Sequence, residues 1–144
     1  MSLVDNKKAR FNYEILETME AGLDLEGGEV KSLRRGQGTL EGSHVVIRGG
    51  EAFLVGATIP PYQPKNQPNY EPDRARRLLL TKEQIKELVG TEQTSKLTII
   101  PLSVYNKGRF LKLAVAIARG KKKGDKREVI KKRDVERDLR RSLT

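Results

Sequence analysis

The chemistry open to this chain is bounded by how few reactive side chains it carries. It has no cysteine and one histidine, His44, which excludes thiolate nucleophiles, thiolate metal sites and paired imidazoles. One acidic grouping, Glu14, Glu17 and Glu20, is dense enough in sequence to suggest a metal-dependent nuclease. On an extended strand Glu14 and Glu20 share a face but stand about 20 Å apart at roughly 3.3 Å per residue. That span cannot clamp one ion, and Glu17 points the other way. His44 reads as a surface or hydrogen-bonded residue at the head of a strand. The expectation is binding rather than catalysis, with no metal and no cofactor.

Cations are what the chain has in quantity. Its 144 residues carry a formal net charge of +10, a field that attracts polyanions, and nucleic acid is the usual one for a basic chain of this size. A membrane surface is the rival. No apolar run approaches the roughly 20 residues of a spanning helix, and no signal-peptide core follows the polar start from Ser2 to Arg10, so a cytoplasmic monomer is expected. Positions 119–144 hold 12 basic and 5 acidic residues, whereas the first 118 hold 17 and 14. This partition predicts a mildly basic body over 1–118 and a cationic tail over 119–144. In the tail Val135, Leu139 and Leu143 share a helical stripe, but Ile130 falls about 140° away from it. Without a face to bury, the tail is expected to be disordered and to become helical against an RNA surface. Within the body, Arg74, Arg76 and Arg77 are placed to hold phosphates.

The elements that must position these groups follow from periodicity. Phe11, Tyr13, Ile15, Met19 and Ala21 alternate with polar residues as a half-buried strand, broken at Leu16. Asp24 can cap a short helix ending at Gly36, weakened by Gly27-Gly28. Gly49-Gly50 between Val45-x-Ile47 and Ala52-x-Leu54 signals a hairpin. The proline-rich stretch from Pro60 to Arg77 reads as a loop. Thr81 and Gln84 form a capping box for a helix with Gly90 as terminator. Leu97 to Tyr105 and Arg109 to Ala118 are strands joined by Asn106-Lys107-Gly108. Leu111, Leu113, Val115 and Ile117 face one side of the second strand, and Lys112 stands among Ala114, Ala116 and Ala118 on the other. Short strands interrupted by two helices predict a mainly β fold: an antiparallel, oligonucleotide-binding-like β-barrel with peripheral helices and a basic C-terminal tail.

Five ordered blocks now resemble the small protein B (SsrA-binding) family. They are Asn6 to Arg10; Glu20-Ala21-Gly22 running on to Gly28 through Leu33; Gly50 to Leu54; Asp73-Arg74 through Leu78-Leu79-Leu80; and Ala118 to Lys122 with Asp125-Lys126-Arg127. The resemblance implies an oligonucleotide-binding-like barrel that binds the tRNA-like domain of tmRNA. It further implies delivery to the A site of stalled ribosomes, with elongation factor Tu and GTP engaged through the RNA, in support of trans-translation. Glu20, Leu79 and Lys112 match positions the family uses for tmRNA. Arg119, Lys121, Lys122, Asp125, Lys126 and Arg127 match the tail that enters the decoding centre and empty mRNA channel of the small subunit. Lys112 suits a phosphate; Glu20 would accept from base amino groups or ribose hydroxyls, or orient a neighbouring cation; Leu79 would touch an unstacked base or pack in the core. Gly124 and Phe11 depart from the family pattern, the first putting a stacking contact before Asp125 in doubt. The alternative is a ribosomal or translation-factor-like protein of the same fold.

Overall fold

The computed structural model describes residues 2–121. Seven strands cross them: β1 (Ser2–Asp5), β2 (Tyr13–Leu23), β3 (His44–Arg48), β4 (Glu51–Val55), β5 (Arg76–Leu79), β6 (Leu97–Lys107) and β7 (Phe110–Gly120). Helices α1 (Ala9–Asn12), α2 (Gly27–Arg34) and α3 (Lys82–Glu92) lie between them. The strands make one antiparallel sheet in the order β1-β6-β7-β2-β5-β4-β3. The mainly β, antiparallel expectation holds, but the sheet does not close by hydrogen bonds. It curls until β3 packs against β6. Its concave face gathers Val45, Ile47, Leu54, Leu78, Leu113 and Val115 over Leu33 of α2 and Leu88 of α3.

Local chemistry explains most of the joints. Gly49 and Gly50 take φ of 59° and 77°, the two positive values that a type I′ hairpin requires. The β6–β7 link is one residue shorter than expected: Lys107 pairs with Phe110, leaving Gly108 and Arg109 as the turn. Thr81 accepts the Gln84 N–H at 3.2 Å while the Gln84 side chain accepts the Thr81 N–H at 2.9 Å. Gly90 does not end α3, which continues to Glu92 because Leu88 and Thr91 bury against the sheet. That last turn lets the Glu92 carboxylate accept the Ile47 N–H of β3 at 3.0 Å. Glu26, not Asp24, stands at the cap of α2, so Gly27-Gly28 form its first turn.

Two bulges overturn the simple alternation. Ile15 pairs with Ala118 but Glu17 with Ile117, which leaves Leu16 as the extra residue. Tyr13 and Ile15 therefore face the convex side, whereas Met19 and Ala21 face the core. A second shift falls between Pro101 and Ser103. On the convex side α1, where a strand was expected from Phe11, lays Ala9 over Ala116 and Ala118 of β7 and Ile100 of β6. The alanine surface around Lys112 is thus open only at Ala114.

The strand β7 runs two residues past the expected boundary at 118. Arg119 pairs with Glu14, and Lys121 gives its backbone N–H to Asn12 O and its ammonium to Arg10 O, both at 2.9 Å. Lys122, Asp125, Lys126, Arg127 and the expected tail helix lie outside the described residues.

Candidate nucleic-acid interface

Side chains of directly paired residues project from the same face of a sheet. Gly22 pairs with Leu79 of β5 and with Lys112 of β7, and Lys112 pairs with Tyr105 of β6. Leu79, Gly22, Lys112 and Tyr105 therefore form one row across four strands on the convex face. The next row holds Glu20, Ala114 and Ser103. Glu20, Leu79 and Lys112, distant in sequence, are brought together on the part of the convex face that α1 leaves open. The Leu16 bulge is what turns Glu20 to that side.

Leu79 is not a core residue. It is 47 % exposed and leans over the bare backbone of Gly22, where an added Cβ would stand 3.1 Å from its own Cβ. Beyond it a groove of about 450 Å³ is lined by Leu80 and Ile85 together with Arg77, Lys82 and Lys86. Glu20 accepts the Tyr105 hydroxyl and the Lys107 ammonium, the latter at 3.0 Å. The Tyr105 hydrogen bond first, then that of Lys107, hold the Glu20 carboxyl below its ordinary value. Burial and the Glu20 carboxylate push the Tyr105 hydroxyl up to about 12. Glu20 is thus a fixed anion that orients a cation. Tyr105 and Lys107 were missed by sequence reasoning; their outward parity on β6 becomes readable only once the two-residue turn sets the hairpin register.

The arginine cluster separates. Arg77 faces outward and meets Glu51 at 3.5 Å. Arg76 points inward on the same strand, wholly buried, and spends its donors on Glu29, Ala57 O, Tyr70 and Pro72 O. Arg74 pairs with the same Glu29. The expectation that all three hold phosphates is corrected for Arg76, which the parity of β5 turns inward with no surface to offer, while Arg77 is exposed and Arg74, before the strand, is partly so. The three nuclease candidates are not gathered either. Glu14 is paired with Arg119, Glu20 with Lys107, and Glu17 sits beside Glu87 of α3, raising the latter's carboxyl through a shared hydrogen bond. His44 is exposed at the head of β3, at the rim of a polar cavity with Asn12 and Tyr13.

A convex face with fixed cations, an oriented carboxylate acceptor and exposed apolar side chains matches the demands of RNA, whose phosphates, base edges and base faces need one of each. Residues 3–144 match the family model described as SmpB protein. The SsrA-binding protein of Gloeothece citriformis is 45% identical over 98% of this chain and 92% of its own length. Those of Trichodesmium erythraeum and Enterococcus faecalis are 47% and 44% identical, over 96% and 98% of this chain and 90% and 92% of theirs. A solved chain described under the words "tmRNA-SmpB: a journey to the center of the bacterial ribosome" superposes with a TM-score of 0.70 at 40% identity, covering 88% of this chain and 92% of that one.

Proposed function

Since this chain belongs to the SmpB protein family, we propose that it binds the tRNA-like domain of tmRNA and brings it to the A site of stalled ribosomes for trans-translation. The observation that carries this reading is the gathering of Glu20, Leu79 and Lys112 on one open face. Lys112 takes a phosphate, Leu79 an apolar base surface, and Glu20 hydrogen-bond donors of the RNA while it holds Lys107 in place. Arg77, with Lys82 and Lys86 in the adjoining groove, extends the cationic track. The tail, including Lys122, Asp125, Lys126 and Arg127, addresses the decoding centre and the empty mRNA channel of the small subunit. Elongation factor Tu with GTP joins through the RNA, and the work is done in the cytoplasm.

Purifying the full chain from bacterial cells and sequencing its bound RNA tests this directly. A dominant tmRNA-sized species is expected. Bulk ribosomal RNA without enrichment of tmRNA would sink the reading in favour of a ribosomal or translation-factor-like protein.

A further inference from the structure

Phe110 is 67 % exposed, and it sits where no core requires it. It opens β7 directly after the Gly108-Arg109 turn and faces Lys107 across the hairpin. The parity that sends Leu111 and Leu113 inward sends Phe110 and Lys112 outward together. The Lys112 ammonium lies over the Phe110 ring, 5.9 Å from its centroid, within the range of a cation–π contact. Arg34 of α2 reaches back to donate to Arg109 O at 2.7 Å, which brings the cationic last turn of α2 beside the hairpin tip. The acidic group facing this corner is Glu20, already bound to Lys107.

A lone ring ringed by cations is a poor seat for an apolar protein surface, because the ammonium and guanidinium groups would lose hydration there without gaining partners. It is well matched to a nucleotide, whose base offers a flat π face and whose phosphate offers the countercharge. We propose that Phe110 is the stacking platform for one unstacked base of the bound RNA, with Lys112 holding the adjacent phosphate. This rests on the RNA-binding reading above and deepens it by assigning the chemistry of one contact. Stacking tolerates any base, so Phe110 contributes affinity without reading sequence. The ligand is accordingly a loop or bulge nucleotide, not one paired within a helix.

The test uses the full chain and an in vitro transcript of the tRNA-like domain, with the dissociation constant measured over a range of salt concentrations. Phe110→Ala should weaken binding about ten-fold and leave the slope of log affinity against log salt unchanged, since no phosphate contact is removed. Phe110→Trp should restore the affinity. Wild-type affinity in Phe110→Ala, a loss that tryptophan does not repair, or an altered slope would each overturn the stacking role. Unchanged RNA affinity with weakened ribosome binding would also overturn it, assigning the ring to a different partner. If the unmodified chain does not prefer the transcript to an unrelated RNA of equal length, both this proposal and the function beneath it fall. If it does and Phe110→Ala matches it, the stacking role alone falls.

Discussion

Arg76 donates through Nε to Glu29 Oε2 at 2.9 Å, and neither side chain has any exposed surface. The pair joins α2 to β5 and, through Tyr70 and Pro72 O, pins the long loop between β4 and β5. Glu29 also accepts the Glu26 N–H at 2.8 Å, so one carboxylate serves a helix start and a buried cation together.

Removing Glu29 should therefore be a stability defect. Glu29→Ala leaves Arg76 buried without its countercharge, a change that costs about 3–5 kcal/mol, readable in urea denaturation. Burial opposes ionisation of Glu29, but the Glu26 N–H and the Arg74 and Arg76 guanidinium groups outweigh it and hold the carboxyl below its ordinary value of 4.5. A carboxyl depressed in the folded state contributes fully above its unfolded value, and that contribution is lost as pH falls through the folded one. As pH falls below the ordinary carboxyl value of 4.5, the parent chain should lose stability more steeply than Glu29→Gln. Equal slopes would remove this carboxylate from the acid sensitivity of the fold.

Lys112→Ala should weaken tmRNA binding and flatten its salt dependence by one phosphate contact, about 0.7–0.9 in the log–log slope. An unchanged slope would take Lys112 off the list of phosphate contacts.

For Glu20 the sign of the effect separates two accounts. Neutralising a carboxylate on a cationic face should tighten RNA binding if only net charge mattered. Glu20→Gln should instead weaken binding about ten-fold, the worth of one hydrogen bond to a charged group, because Lys107 is released and an acceptor is lost. Tighter binding would refute the orienting role. Tyr105→Phe should raise the Glu20 carboxyl toward 4.5, since that hydroxyl is the largest cause of its depression; a titration followed by NMR reads this directly.

Deleting residues 122–144 should abolish ribosome rescue in a trans-translation assay while sparing most of the tmRNA affinity in gel shifts. The cut belongs after Lys121, whose backbone and ammonium are bound to α1. Complete loss of tmRNA binding would contradict a molecule in two parts.

Much of this architecture was legible because its signals are local. The Gly49-Gly50 turn, the Thr81 and Gln84 box and the inward leucines of β7 each depend on neighbours in sequence. What escaped depends on distant partners. β1 has one buried residue, Val4, and pairs with β6 a hundred positions later, so no short-range pattern marks it. The buried role of Arg76 was hidden because its countercharge, Glu29, comes from another element. The break at Leu16 was visible as a lapse in alternation, but only the pairing with β7 shows that it reverses which residues face out. Glu20, Leu79 and Lys112 were named by resemblance; their shared face is a product of the register.

Because the sheet remains open, β3 presents a margin that could recruit a strand from another molecule. The Glu92 carboxylate occupies the Ile47 N–H at that margin and draws in Arg48 at 3.6 Å. The final turn of α3 thus takes up one of the backbone donors that an added strand would have to pair with, so the last strand of the sheet is capped by a helix as well as by its packing on β6.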